Sequence, residues 1–290
     1  MMQLIIDALS NGGLYGLAAL GVGLVFGVMR LVNFAHGELI TCAAYLLVIC
    51  LPWGLLPAVA VALVGATILA LLLEFGVFSR LRGADPAVLL IASFGLSVLL
   101  QRSYEMIFGA LPRAGQAAAW LSDVWTVGDT QISRGSVVTV ALTLALLVGM
   151  KWVVERTTVG LQLRAASSDF NTAQLLGVRS SRVIAGAFAA SGLLAGVVGF
   201  MLFTQRGQAD PQFGVNVTIL ALVGTVIGGL GSLMGAALGG MAVGVTISVL
   251  NSVLGNDRAY TYSVLFLLVI LVLLVKPSGI FGQAALKERV

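Results

Sequence analysis

The chain has 290 residues, of which 59% are hydrophobic and only 10% are charged. Soluble domains are roughly 45–50% apolar and about 25% charged, so this composition excludes an ordinary soluble domain. The low charge also excludes a disordered chain, which would combine few apolar residues with much charge. Glycine is abundant, at 36 residues, and membrane helices use glycine to bring their backbones together. We therefore predict an all-α, polytopic membrane protein.

Nine apolar runs are candidates for membrane spans, since a span needs about 20 apolar residues. They cover residues 4–28, 38–56, 57–79, 87–108, 135–152, 183–203, 215–229, 233–254 and 259–275. Several runs are short or interrupted by glycine, so eight spans plus one re-entrant segment are an equally good interpretation. All of residues 1–290 are predicted to form a single transmembrane domain.

The positive charges predict the orientation, because Lys and Arg collect in cytoplasmic loops. If the spans alternate and residues 153–182 are cytoplasmic, eleven of the sixteen Lys and Arg residues lie inside. This predicts an N-terminus outside the membrane and a C-terminus in the cytoplasm. The net charge of +4 is then explained by the membrane, and no nucleic acid partner is expected.

Catalytic motifs are scarce. His36 is the only histidine, which excludes an H-E-x-x-H zinc site. A Ser–His pair for intramembrane hydrolysis would have to join His36 to a serine such as Ser97, and the Gly95–Ser97 motif is weak evidence for it. None of the three lysines lies in a phosphate-binding loop. We expect no ATP hydrolysis by this chain alone, no metal and no cofactor.

A short helix, at about residues 168–177, is predicted within the cytoplasmic loop 153–182. Ser168 or Asp169 can cap its start, and Gly177 suits the left-handed residue that often follows a helix. One face would carry Phe170, Ala173 and Leu176. A helix of about two turns is marginal in water by itself. It must therefore pack on another subunit, on its own protein or on the bilayer.

A polar cluster at residues 33–38 separates the first two apolar runs, and its polar side chains are Asn33, His36 and Glu38. Non-helical backbone at membrane depth is tolerated only where it is buried in protein or lines a cavity. Transporter paths are often built from such broken helices. The cluster is predicted to be either part of a path or gate, or a structural turn.

Ser93, Ser97 and Gln101 recur every four residues and so share one face of a predicted helix. A polar stripe that faces lipid would be costly, so this face should meet the pore or another helix. Pore lining and interhelical hydrogen bonding remain two interpretations of the same pattern.

Two further features concern packing and charge. Gly231, Gly235 and Gly239 also recur every four residues, which predicts close packing of helices. Glu74, near the end of the third apolar run, is expected to reach the membrane surface or to pair with Arg80. A stand-alone secondary transporter would instead need buried Asp or Glu to carry ions.

Six motifs, in order, resemble the LivH-type permease subunits of branched-chain amino acid ABC importers, and the resemblance covers nearly the whole chain. They are Asn33–Leu39, Ser79–Asp85, Phe94–Gln101, Arg164–Ala166 with Gly177–Val178, Gly228–Ser232 and Lys276–Gly282. Met234 stands where that family suggests a proline. The resemblance implies a type II ABC importer-like permease fold with alternating access.

The resemblance also implies partners in a bacterial inner membrane. These are a second homologous, LivM-like permease, two cytosolic LivG/LivF-like ATPases that bind ATP and Mg, and an external solute-binding protein. The region from Arg164 through Asp169 to Gly177 would contain the coupling helix that docks on the ATPase. The substrate would be a branched-chain or other hydrophobic amino acid. The same family includes importers of urea, short amides and other small amino or carboxylic acids.

Overall fold

The computed structural model describes residues 2–115, 124–127, 130–168 and 170–281. The α-helices of this part are α1 Met2–Met29, α2 His36–Cys50, α3 Leu55–Leu73, α4 Pro86–Phe108, α5 Arg134–Arg156, α6 Thr158–Ser168, α7 Phe170–Leu175, α8 Ser180–Arg206, α9 Val215–Gly228, α10 Leu233–Val253 and α11 Thr261–Val275. Short 3-10 turns, Leu51–Trp53 and Gly255–Tyr260, follow α2 and precede α11, and a π-helical segment, Glu74–Phe78, ends α3.

Eight helices of the described chain are long and apolar enough to cross a membrane. They are Met2–Met29, His36–Trp53, Leu55–Phe78, Pro86–Phe108, Arg134–Arg156, Ser181–Arg206, Leu233–Val253 and Gly255–Val275. The remaining apolar run forms α9, which has 14 residues. At 1.5 Å per residue it is about 21 Å long, whereas the hydrocarbon core is about 30 Å thick. The part of the chain that the structure describes therefore has eight helices of spanning length and one shorter apolar helix.

Helix α1 is the most buried of these long helices and packs most extensively against α10. Glycines make the approach possible. A Cβ atom on Gly240 or Gly244 would overlap the α1 backbone at Tyr15 or Asn11. Such contacts let the two backbones touch, which is how small residues stabilise helix pairs in membranes.

The predicted glycine stripe is only partly a packing surface. Gly235 and Gly239 of α10 lie against Gly228 and Gly224 of α9, where added Cβ atoms would overlap the facing backbone. Assigning Gly231 to this stripe was wrong. Gly231 lies in the turn before α10 with φ 92°, and a Cβ there would meet nothing within 4 Å. Its role is conformational, because few other residues adopt that φ.

Two small antiparallel sheets connect the ends of long helices. Strand β1 (Arg113–Ala114), which follows α4, pairs with β4 (Gln208–Ala209), which follows α8. Strands β2 (Val124–Val127) and β3 (Thr130–Ser133) form a hairpin before α5. The β1–β4 pair brings the C-terminal ends of α4 and α8 to the same side of the bundle, as alternating spans require.

Candidate translocation and coupling sites

The chain between α1 and α2, residues 30–35, is not helical. Side chains satisfy three of its backbone groups. The Ser93 hydroxyl of α4 lies 3.1 Å from the Val32 carbonyl and accepts a hydrogen bond from the Phe34 N–H at 3.4 Å. Asn33 Oδ1 accepts from the Ala35 N–H at 3.0 Å. Broken backbone inside a membrane protein needs such partners, because no water is present to replace them.

Glu38, in the first turn of α2, is fully buried and holds α4 in place. Its Oε1 accepts hydrogen bonds from Ser97 at 2.9 Å and from Gln101 at 3.0 Å, while Tyr104 donates to its backbone carbonyl at 2.8 Å. The polar stripe on α4 thus faces α2. These are interhelical hydrogen bonds, and the role of the stripe in lining a path stays a prediction.

His36 is also fully buried, and it contacts α8 and α1. Its Nδ1 lies 3.1 Å from the hydroxyl of Ser191, and a Cβ on Gly21 would lie 2.8 Å from the imidazole Cε1. The serine bonded to His36 is therefore not Ser97, which bonds to Glu38. The pair of His36 with Ser97 therefore does not form, and His36 pairs with Ser191 instead.

The N-terminal ends of α2 and the short helix α9 meet at two glycines. A Cβ on Gly37 would lie 3.0 Å from the Gly214 carbonyl oxygen and 2.9 Å from Thr218 Oγ1. The Gly214 N–H donates to the Thr41 hydroxyl at 3.0 Å. We call these four residues, Gly37, Thr41, Gly214 and Thr218, the junction. Two broken helices that meet end to end are a common architecture for transporter paths.

Three buried polar atoms at or beside the junction have no hydrogen-bond partner in the structure as described. They are His36 Nε2, Glu38 Oε2 and Thr218 Oγ1. A buried polar group without a partner destabilises a fold by roughly 1–3 kcal/mol, so such groups call for an explanation. Within the described ranges, no group of three or more His, Cys, Asp and Glu could hold a metal ion. Water or a polar solute would satisfy these atoms if the helices separated.

The sequence did not single out four of the residues that complete this region. They are Thr41, Ser191, Gly214 and Thr218. One signal was available for Gly214 and Thr218, since both lie at the start of the shortest apolar run. Nothing local marks Ser191, because one serine within an apolar helix resembles any other until its neighbour from another helix is known.

The loop predicted to couple the chain to a partner contains two helices. Helix α6 ends at Ser168 and α7 begins at Phe170, while Asp169 lies outside the described residues. Gly177 follows α7 with φ 89°, in the left-handed region. The Val178 N–H donates to the Ala173 carbonyl at 3.1 Å and the Gly177 N–H to the Gln174 carbonyl at 3.0 Å. These two bonds form a Schellman motif.

Ala173 and Leu176 do not share a face, contrary to the prediction. Ala173 is 3% exposed, whereas Leu175 and Leu176 are 88% and 81% exposed. Leu176 follows the last residue of α7, and its N–H still donates to the Thr172 carbonyl at 3.2 Å, but its side chain does not reach the contact that buries Ala173. Arg164 is exposed on the neighbouring helix α6. This end of the molecule therefore presents two adjacent leucines to its surroundings.

The expectation for Glu74 was also wrong. Its side chain is fully buried and forms an ion pair with Arg82, not with Arg80. The reason is geometric, since Glu74 begins the π-helical segment and the following turn folds Arg82 back over it.

Residues 4–273 match the family described as "Branched-chain amino acid transport system / permease component". The chain belongs to this permease family. The permease is 29% identical, over 303 residues, to the high-affinity branched-chain amino acid transport system permease protein BraD of Pseudomonas aeruginosa, with 99% of this chain and 97% of BraD covered. It is 28% identical, over 304 residues, to LivH of Escherichia coli K12, with the same coverage.

One solved structure, described as "PsaBC from Streptococcus pneumoniae in complex with Fab", resembles the permease with a TM-score of 0.50 and 15% sequence identity. The match covers 95% of this chain and 92% of that one. At this identity the likeness concerns the fold alone. The permease is thus an all-α, multi-pass membrane protein with the type II ABC importer-like fold.

Three family-like motifs of the permease lie in the regions described above, and two of them contact each other. Asn33–Leu39 supplies the broken segment and Glu38, and Phe94–Gln101 supplies part of the stripe that binds Glu38. Ser79–Asp85 contains Arg82, the partner of Glu74. Motifs that are separate in the sequence therefore come into contact in the fold.

Proposed function

We propose that this permease is the membrane-spanning subunit of an ATP-driven importer of branched-chain or other hydrophobic amino acids. The proposal is supported by the family match over residues 4–273 and by relatives that are branched-chain amino acid permeases over nearly their full length. The chain itself is non-catalytic. A second, LivM-like permease completes the pore, and an external solute-binding protein delivers the substrate.

The junction is the observation that carries the path proposal. Buried polar atoms without partners lie where two short helices meet, and solvent or solute would bind them once the helices part. The path then runs past Asn33, His36 and Glu38 and along the stripe Ser93, Ser97 and Gln101. In this structure Ser97 and Gln101 bond to Glu38, Asn33 and Ser93 bond to the backbone, and His36 bonds to Ser191. We infer that this arrangement is the closed state of the path.

The exposed leucines beside Gly177 carry the coupling proposal. Leu175 and Leu176 are almost fully exposed, which is unfavourable for leucine side chains in water. The Schellman motif fixes the direction of the turn that carries them. Two cytosolic, LivG/LivF-like ATPases, which bind ATP and Mg, would cover them. We propose that the loop 153–182 and the C-terminus are cytoplasmic and the N-terminus outside, in a bacterial inner membrane. This orientation requires the segment that contains α9 to complete a ninth crossing.

Reconstituted transport tests the proposal. The permease is copurified with its candidate partners and placed in liposomes with the ATPases accessible. Uptake of labelled leucine is compared with uptake of urea and of a short amide, with and without ATP. We expect ATP-dependent uptake of leucine. Leucine uptake driven by an ion gradient in the absence of ATP would instead support a secondary transporter.

Thiol labelling tests the path. Ser93→Cys, Ser97→Cys and Gln101→Cys are made in a chain that lacks Cys42 and Cys50, with Gly95→Cys on the opposite, exposed face of α4 as the control. We expect water-soluble thiol reagents to reach the stripe in at least one nucleotide state. If the stripe never reacts in any state, its role is helix packing and the path lies elsewhere.

A further inference from the structure

Arg82 connects two helices that are distant in the sequence. It lies in the turn between α3 and α4, and its Nη2 forms the ion pair with Glu74. Its Nη1 donates a hydrogen bond to the Ser181 hydroxyl, 2.9 Å away, at the start of α8. One guanidinium therefore holds the end of α3 and the start of α8 together. Arginine suits this task because its planar group presents several donors in a fixed fork.

The two contacts of Arg82 differ in strength. The Glu74 side chain is fully buried, whereas the Arg82 side chain is 28% exposed and Ser181 is exposed. A buried carboxylate is strongly destabilising without its cation, so Arg82 must remain with Glu74. The hydroxyl contact is the one that can be remade. Arg82 and Glu74 thus behave as one unit, with Ser181 as its replaceable partner.

The helix that holds Glu74 is irregular at this point. The Ser79 N–H donates to the Glu74 carbonyl at 2.7 Å, which is the i to i−5 bond of a π-helix, and π segments often mark functional positions. Phe78 of the same segment packs on Phe188 of α8, with ring centroids 5.4 Å apart. The π-helical segment at the end of α3 is therefore joined to α8 by an aromatic contact as well as by Arg82.

Arg82 lies between the two regions with proposed roles. Ser181 is four residues beyond Gly177, the residue that ends the leucine-bearing turn after α7. On the other side, Asp85 caps α4 by accepting a hydrogen bond from the Ala87 N–H at 2.8 Å. Helix α4 carries the stripe that binds Glu38. A continuous series of contacts and chain segments thus connects α7 to α4 through Ser181, Arg82 and the capped turn.

We propose that Arg82 is a positioning residue for transport, whose bridge between Glu74 and Ser181 transmits movement of α7 and α8 to α4. This inference rests on the proposed function, in which an ATPase moves α7. The bridge would make the α3–α4 turn move together with α8. The hydrogen bonds between Glu38 and α4 would then break when the ATPase closes. Without the bridge, ATP is hydrolysed but α4 does not follow.

Ser181→Ala is the decisive variant, because it removes the replaceable contact and leaves the buried ion pair intact. The matched control is Ser79→Ala in the same turn, whose hydroxyl donates only to the Phe75 carbonyl of its own helix, at 2.8 Å. Arg82→Lys is the second variant. Its ammonium preserves the charge beside Glu74, but it lacks the fork that reaches Ser181.

Two readouts are taken on the reconstituted complex: amino acid transported per ATP hydrolysed, and the ATP-dependent change in thiol labelling of Ser97→Cys. Coupling free energies between sites commonly correspond to factors of about 5 to 150. We expect Ser181→Ala and Arg82→Lys to lower the transport ratio about fivefold or more and to abolish the labelling change. Ser79→Ala should match the wild type.

The two readouts separate failure of this inference from failure of the proposed function. Wild-type transport and labelling in both Ser181→Ala and Arg82→Lys would overturn the bridge while leaving the importer intact. A wild-type complex that carries no amino acid, yet shows a labelling change that Ser181→Ala abolishes, would overturn the proposed substrate and support the bridge.

Discussion

The Thr41 hydroxyl accepts a hydrogen bond from the Gly214 N–H at 3.0 Å and donates one to the Gly37 carbonyl at 3.1 Å. One side chain therefore joins the N-terminal ends of α2 and α9. The Gly214 N–H lies at the N-terminal end of α9, where backbone amides lack partners within their own helix, so this bond satisfies it. Separation of the two helices must break it first.

Replacing Thr41 by Val keeps the side-chain volume but removes the acceptor for the Gly214 N–H. A buried donor without a partner costs about 1–3 kcal/mol, so we expect Thr41→Val to unfold at a lower temperature in detergent. Thr246→Val is the control, since the Thr246 hydroxyl bonds only to the Ala242 carbonyl of its own helix. Equal melting temperatures for the two variants would contradict the role of Thr41.

Gly37→Ala tests the close approach at the junction. The added Cβ would lie 2.9 Å from Thr218 Oγ1 and 3.0 Å from the Gly214 carbonyl. Overpacking of this kind costs about 1–3 kcal/mol, and we expect lower thermal stability and reduced transport with normal membrane insertion. Gly95→Ala on α4, where a Cβ would meet nothing within 4 Å, should behave like the wild type in both assays.

Glu38→Ala tests the hydrogen bonds that join α2 to α4. It removes the acceptor shared by Ser97 and Gln101, so the Ser97 hydroxyl loses its acceptor and the Gln101 amide keeps only its bond to Ser97, at 3.1 Å. We expect a loss of about 1–3 kcal/mol of stability, measured by thermal unfolding, and a smaller loss for Glu38→Gln, which keeps a carbonyl acceptor. Ser103→Ala, on the exposed side of α4, should have no effect. A Gln variant no more stable than the Ala variant would show that these hydrogen bonds do not hold α4.

These predictions depend on contacts that the sequence shows only in part. The long spans follow from apolar length alone, which is a local property, so they are predictable. The stripe Ser93, Ser97 and Gln101 also has a local signal, its four-residue period. The pairing of this stripe with Glu38 has no local signal, because it depends on how two distant segments are placed.

The three errors share one cause. Gly231, Leu176 and Glu74 each lie within three residues of a helix end or of a change in helix type, where periodicity no longer predicts the direction of a side chain. Gly235 and Gly239 lie within α10, where the four-residue period predicts packing, whereas Gly231 precedes the helix. Likewise, Ala173 lies within α7 and Leu176 follows its last residue. Element ends depend on capping contacts, which the hydrophobic period of a helix does not reveal.

Leu175→Ala with Leu176→Ala tests the coupling surface. Both side chains are exposed, 88% and 81%, so the isolated permease should keep its stability. If an ATPase buries them, the pair contributes about 1.5–3 kcal/mol per side chain, and we expect the ATPase to be lost on copurification. Leu111→Ala, which is 81% exposed in the loop after α4, is the control. ATPase recovery equal to that of the control would exclude this surface from docking.

Gly177→Val, alone and with Asp169→Ala, tests the turn that directs those leucines. Gly177 has φ 89°, and residues with a Cβ are disfavoured in left-handed backbone by roughly 1–2 kcal/mol. We expect ATP hydrolysis to continue while uptake falls, since the helix would dock in the wrong direction. Gly186→Ala, in the regular helix α8 with nothing near the added Cβ, should leave the ratio of uptake to hydrolysis unchanged.

The glycine contact between α1 and α10 has a consequence for biosynthesis. During insertion the first helix enters the bilayer long before its main partner is translated, and until then Asn11 lacks the Ser248 hydroxyl that it bonds at 3.0 Å. The nascent chain therefore carries an open groove and unpaired polar side chains in lipid through most of its synthesis. A chain truncated before Leu233 would stay in that state, so quality-control proteases that recognise polar groups in membranes should degrade it faster than the 290-residue chain.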